Sequence, residues 1–195
     1  MVIIKVLFAS MLSNIIFSKA LGISTILIAS KNKTNLIRLS FVITFFTTVG
    51  SMLTYSADKA ILNNKFNPLF WPMIYIIIIS IIYISSLILL RVVSEVFFNK
   101  LKKYIHISAF NCIVLGALMI TSELNQVNSS TEILFSDYFM MGLNSGLGFL
   151  VAAYIFKIAH VKLDSEDVPK SFKGYPILLI YIGIISMALY GISSI

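Results

Sequence analysis

Cys112 is the one thiol in the chain, and Asn111 stands directly before it. A thiolate ligates soft metals or carries redox chemistry, but a single cysteine excludes an internal disulfide framework and any metal site built by this chain from thiolates alone. A lone buried cysteine is more often a small apolar residue. Lys19 lies near the middle of a 29-residue apolar stretch from Val2 to Ser30, where an unpaired cation costs about 2.5–3.5 kcal/mol. Either its long side chain snorkels to the interface, or the helix breaks around Gly22 and Lys19 faces a polar interior or a bound anion. Asn14 and Asn111 are amides of the kind that bond between helices in lipid, each worth about 0.6 kcal/mol. His106 and His160 sit among basic residues at the edges of apolar segments, where an imidazole is ordinary. No Gly-rich nucleotide loop, His-Glu-x-x-His zinc spacing or nucleophile with a neighbouring base occurs.

The elements that position these residues are set by solvent. The 195 residues are 58% hydrophobic and 12% charged, with a mean hydropathy of +0.96, against about 25% charged in an ordinary soluble domain. A bilayer core of about 30 Å needs roughly 20 apolar residues per helix. Six stretches qualify: 2–30, 36–56, 69–93, 104–121, 138–159 and 175–195. They are continuous runs, not the alternating ten-residue pattern of a membrane barrel, so they are expected to be helices. Connectors this short leave one transmembrane domain, 1–195. The first stretch is too long, and too interrupted by Lys5 and Lys19, for a cleavable signal peptide. No acidic residue falls deep inside a span on these boundaries, which speaks against a proton relay or cation pump acting alone in this chain.

Eleven of the fifteen cations lie in the connectors after spans one, three and five: Lys31, Lys33 and Arg38; Arg91, Lys100, Lys102 and Lys103; Lys157, Lys162, Lys170 and Lys173. The positive-inside rule puts those connectors in the cytoplasm and both termini outside. The net charge of +7 is therefore a topology signal. Cations divided among short connectors, with no interleaved aromatic face, exclude a nucleic-acid footprint.

Six spans divide into two three-helix halves that insert upside down relative to one another, the arrangement of many transport folds. Asn14 followed by Leu21-Gly22 in span one is echoed by Asn111 followed by Leu115-Gly116 in span four, with the asparagines 97 positions apart. The expected fold is all-α integral membrane: six transmembrane helices as two inverted three-helix repeats, with the first and fourth spans broken. Gly142 and Gly146 in span five have the small-residue spacing of close helix packing. Two function classes fit so far: a small secondary transporter binding substrate at Gly22 and Gly116, or a structural membrane subunit.

Phe110-Asn111-Cys112-Ile113-Val114-Leu115-Gly116, Asp167-Val168-Pro169-Lys170-Ser171-Phe172-Lys173-Gly174 and Ser18-Lys19-Ala20-Leu21-Gly22-Ile23 carry a likeness that covers essentially the whole chain. Together they resemble the six-span membrane subunits that include the A subunit of Rnf electron-transport complexes and the D and E subunits of the sodium-translocating NADH:quinone reductase. Lys19 and the short connectors are more similar to the Rnf subunit. The resemblance implies a complex that couples electron transfer, on its NADH and ferredoxin side, to ion translocation, with no stand-alone catalysis here. It implies a homologous six-helix partner subunit, with a two-iron two-sulfur cluster held between the two by four cysteines, one from each half of each subunit. Flavins and other clusters would belong to further partner subunits. Cys112 matches the cysteine of the second half. Where the family reads Leu-Gly-Leu-Cys-Pro in the first half, this chain has Leu21-Gly22-Ile23-Ser24-Thr25, so Ser24 stands at the other ligand position, and a serine oxygen is a harder, poorer iron ligand than thiolate. Asn14, Lys19, Gly22, Asn111 and Gly116 are the residues expected around the cluster. His106 replaces a family proline, and Leu87 an expected acidic residue in span three. A structural subunit without a cluster remains open beside the relay.

Overall fold

The computed structural model describes residues 15–30, 32–64, 68–127, 134–163 and 168–193, and among them every regular element is helical. In chain order these are α1 (Ile15–Lys19), α2 (Ile23–Ser30), α3 (Lys33–Asn64), a 3-10 turn at Pro68–Phe70, α4 (Trp71–Val93), α5 (Glu95–Ala109), α6 (Cys112–Val127), α7 (Phe135–Leu163) and α8 (Tyr175–Ser193). Three of them, over Thr34–Ala60, Trp71–Val93 and Phe135–Leu163, are individually long and apolar enough to cross a membrane. The pair α5–α6 qualifies jointly, bent by 50° at its break, and α8 is a shorter apolar helix. On α4, Ile81, Ile84, Ile88, Leu89 and Val92 are each more than half exposed, the surface expected of a helix whose solvent is hydrocarbon.

Contacts divide the chain into two compact units. In the first, 38–146, α4 packs on α5 and α6 around a core of Val42, Phe46, Tyr75, Ile79, Ile82, Ile105, Ala109, Val114 and Leu118. Its part of α3 carries many hydroxyls, and they satisfy themselves: Thr44 bonds the Ser40 carbonyl at 2.7 Å, Thr48 that of Thr44 at 2.7 Å, Ser51 that of Thr47 at 2.7 Å and Thr54 that of Gly50 at 2.9 Å. Such i−4 bonds let a polar stripe run through an apolar setting. Gly142 and Gly146 of α7 lie against it, so closely that an added Cβ would come to 2.7 Å from the Thr47 oxygen and 2.5 Å from Thr44 Cα, respectively. The packing role expected from their spacing is what the backbone requires.

The second unit holds 1–37 and 147–195. Its described part packs α1 against α8, with the Ser186 hydroxyl on the Phe17 carbonyl at 2.7 Å and the Phe17 and Phe156 rings stacked 6.3 Å apart.

Several expected boundaries are corrected. The helix that holds span two continues past Ser56 to Asn64; no glycine or proline occurs between Gly50 and Pro68 to stop it. Lys100, Lys102 and Lys103 are not in a loop but on α5, since hydropathy falls there while nothing breaks the helix: Pro72 and Gly116 have neither glycine nor proline between them. Only the extended Ser94 (φ −163°, ψ 117°) separates α4 from α5. The helix pair that holds the expected span 104–121 begins at Glu95 and is bent at its break.

Candidate functional site

The break between α5 and α6 is made by Phe110 and Asn111. Phe110 leaves helical geometry at φ −96°, ψ 34°, and Asn111 restarts the helix. The Asn111 carbonyl accepts the Val114 N–H at 3.0 Å, while its side-chain Oδ1 accepts the Ile113 N–H at 3.3 Å. That is an asparagine N-cap. Cys112 is the first residue of α6, exposed, with its Sγ 3.5 Å from the same Oδ1. Asn111 itself is 6% exposed, yet among the described residues its Nδ2 has no hydrogen-bond partner, and neither has the buried Ser108 hydroxyl one turn earlier. Buried donors left without a partner cost about 1–3 kcal/mol each. The site therefore presents a thiol, the N–H groups and positive dipole of a helix start, and an unused amide donor. His106 lies outside it, with Nδ1 2.5 Å from the Tyr83 hydroxyl. Gly116, expected at a break, is inside α6; the break comes at 110–111 because asparagine capping, not glycine, makes it.

In the second unit, the expected break near Gly22 is present. Ala20 (φ 55°) and Gly22 (φ 80°) both adopt left-handed backbone between α1 and α2, and the Gly22 carbonyl then accepts from Thr25 and Ile26 at 3.1 and 3.0 Å. Ser24 is exposed in the first turn of α2. Lys19 ends α1, exposed, and lines a cavity of about 650 Å³ with the hydroxyl-bearing Ser18, Ser186 and Tyr190. Asn14 lies outside the described residues. Among those that are described, no three Cys, His, Asp or Glu side chains gather closely enough to hold a metal ion, so a metal at Cys112 would need further ligands.

A second polar centre in the 38–146 unit escaped the sequence reading. Asp58 of α3 is 6% exposed. Its Oδ1 accepts the Tyr75 hydroxyl at 2.9 Å and its Oδ2 the Tyr138 hydroxyl at 2.8 Å, while the Tyr75 hydroxyl is also 2.6 Å from Ser122 Oγ. Residues from α3, α4, α6 and α7 thus converge on one carboxylate. Asp58 lies beyond the expected end of span two at Ser56, within the apolar helix Thr34–Ala60 and two residues from its end. A signal was available: Thr44, Thr47, Ser51, Thr54 and Asp58 follow one another at spacings of three and four, one face of a helix.

The family model described as Rnf-Nqr subunit, membrane protein, matches residues 3–195. The chain belongs to the Rnf-Nqr family. The A subunit of the Na(+)-translocating ferredoxin:NAD(+) oxidoreductase complex of Acetobacterium woodii is 27% identical over 185 residues, covering 95% of this chain and 93% of its own length. The A subunit of the ion-translocating oxidoreductase complex of Pasteurella multocida is 25% identical over 189 residues, 97% and 95% of the two chains. That of Shewanella loihica is 26% identical over 181 residues, 93% and 91%. In this Rnf-Nqr chain the two centres that can do chemistry within the 38–146 unit, the exposed thiol and the buried carboxylate, are joined by α6, which carries Cys112 at its start and Ser122 ten residues on.

Proposed function

We propose that this Rnf-Nqr chain is the A-type membrane subunit of a complex that couples electron transfer between reduced ferredoxin and NAD+ to ion translocation, relaying electrons together with a homologous six-helix subunit. The observation that carries this reading is Cys112, exposed on a capped helix start inside a broken span, above a buried amide donor without a partner. These residues would fit an iron–sulfur cluster shared with a partner: a thiolate from Cys112, and N–H groups and a helix dipole that favour an anionic centre, with the Asn111 amide beside them. When bound, such a cluster supplies one-electron transfer within the bilayer. The chain's part would be to supply Cys112 as a ligand at the capped start of α6 and to cover the site with apolar helix. Ser24, exposed at the start of α2, is proposed as a weaker ligand position, on the resemblance of Leu21-Gly22-Ile23-Ser24-Thr25 to the family's first-half motif.

The same reading includes six spans as two inverted three-helix repeats, with both termini on the periplasmic face of the inner membrane. The break at Ala20–Gly22 and the break at Phe110–Asn111, one in each half of the sequence, support it. A structural subunit without a cluster is the second reading, favoured by one observation: the hydroxyl of Ser24 where the resembled family has a thiol.

Iron, acid-labile sulfide and the electron paramagnetic resonance spectrum of the purified complex decide between them. Cys112→Ala is expected to remove the signal assigned to this cluster and to abolish ferredoxin-dependent NAD+ reduction, while the complex still assembles. An unchanged spectrum and rate in that variant overturn the relay and leave the structural subunit.

A further inference from the structure

We propose that Asp58 is a proton-loading site of the translocation route, with Tyr75 and Ser122 as the line that delivers and removes the proton. The inference rests on the reading of the chain as part of an ion-translocating redox complex. The Tyr75 hydroxyl has one proton but lies within bonding distance of two oxygens, Asp58 Oδ1 at 2.9 Å and Ser122 Oγ at 2.6 Å. The line Ser122–Tyr75–Asp58 therefore has two self-consistent polarities. With the carboxylate ionised, Ser122 donates to Tyr75 and Tyr75 donates to Asp58. With the carboxyl protonated, Asp58 donates to Tyr75 and Tyr75 donates to Ser122.

The two states differ by one proton. A proton arriving at Ser122 Oγ displaces the serine hydrogen to Tyr75 Oη, whose own hydrogen moves to Asp58 Oδ1; one O–H bond breaks and one forms at each hydroxyl, and the carboxylate becomes an acid. Release is the reverse. Tyr138, on Oδ2 at 2.8 Å, keeps the carboxylate oriented in either state. Oxygen separations of 2.6–2.9 Å are those of direct O–H···O bonds and leave no room for a metal cation between the oxygens.

Among the described residues no other charge replaces Asp58 in the cluster. Tyr75, Ser122 and Tyr138 face it from α4, α6 and α7. On its own helix Lys59 is exposed, with its Nζ 4.9 Å from the centre of the Tyr55 ring. The neighbouring Glu123 and Asp137 are exposed. A carboxylate buried near the end of an apolar helix is costly to ionise, and carboxylates in such segments are characteristic of proton paths. The helix that contributes Ser122 begins at Cys112, about 15 Å away along its axis at 1.5 Å per residue, so a shift of α6 on reduction at the break would be felt at the Tyr75–Ser122 bond.

The test uses the whole complex in proteoliposomes, with difference infrared spectra taken on reduction. Wild type is expected to show a protonated-carboxyl band that changes with redox state, shifts in deuterium oxide and is absent in Asp58→Asn. In Asp58→Asn and in Tyr75→Phe, ferredoxin-to-NAD+ electron transfer with the membrane uncoupled and the paramagnetic resonance signal are expected to persist, while ion transport falls by about a hundredfold, the low end for a lost positioned proton-transfer group. Transport that stays stoichiometric with electron flow in both variants, or a band unaffected by redox state, overturns the proposal. So does a band that responds to Na+ at constant pH, which would make the occupant sodium. Absence of uncoupled electron transfer in the wild-type complex would instead count against the electron-relay reading.

Discussion

Asn111 caps α6 with one amide atom and buries the other, and a substitution can separate the two. Its Oδ1 caps α6, and its buried Nδ2 has no partner. Asn111→Ser keeps an oxygen at the cap and is expected to change thermal stability little, whereas Asn111→Ala removes it at a cost of about 1 kcal/mol, read as a lower midpoint of thermal denaturation. If Nδ2 serves a bound cluster, both variants lower iron retention alike, because both lose the amide donor. A fall in iron that tracks stability instead assigns Asn111 a capping role alone. Ser24 is the complementary case: Ser24→Cys supplies the softer ligand and is expected to raise iron per complex, with unchanged iron showing that position 24 is not a ligand. At this scale the sequence was informative where residue type limits chemistry, as with the single thiol. For Asp58 it offered only the helical spacing from Thr44; the significance comes from Tyr75, Ser122 and Tyr138, side chains 17, 64 and 80 positions away whose convergence no spacing encodes.

Helices rather than residues explain why one glycine pair is intolerant of change. A methyl group on Gly146 would meet Thr44 Cα at 2.5 Å and its Oγ1 at 2.6 Å, and a backbone atom cannot turn aside as a flexible side chain can. Gly146→Ala is therefore expected to separate α7 from α3 and destabilise the chain by about 1–3 kcal/mol. Gly183→Ala, with open space around the same position on α8, serves as the control and is expected to be neutral or slightly stabilising. Denaturation in mild detergent checks both, and equal stability of the two variants would show that the α3–α7 contact is looser than the backbone indicates. The elements were legible to different degrees for a physical reason. Lipid length identifies α4 and α7 from composition, and left-handed backbone needs make Gly22 a readable break. The C-terminal end of α3 and the first part of α5, before Tyr104, were read as connector because hydropathy reports where lipid stops, while a helix continues until something breaks it.

Across the whole molecule, orientation depends on where cations sit, and the correction at α5 bears on it. Lys100, Lys102 and Lys103 lie on a helix that, with α6, makes the bent apolar pair. The positive-inside rule counts charges near span ends whether the backbone there is loop or helix, so moving these three from connector to helix leaves the bias intact. The 3-10 turn before α4 is then expected outside, and the segment before α8 inside. Since Cys112 is the only cysteine, a Cys112→Ser background gives a blank against which single probes can be read. Leu69→Cys in the turn and Ser171→Cys before α8, both at exposed positions, are expected to differ in intact cells. A membrane-impermeant thiol reagent should label Leu69→Cys at once and Ser171→Cys only after the membrane is opened. Labelling in the opposite order would invert the molecule and place the α3–α4 end, where Asp58 and Tyr75 lie, toward the cytoplasm. Equal labelling before lysis would mean that an even number of crossings separates the two positions, and the six-span arrangement would fall with it.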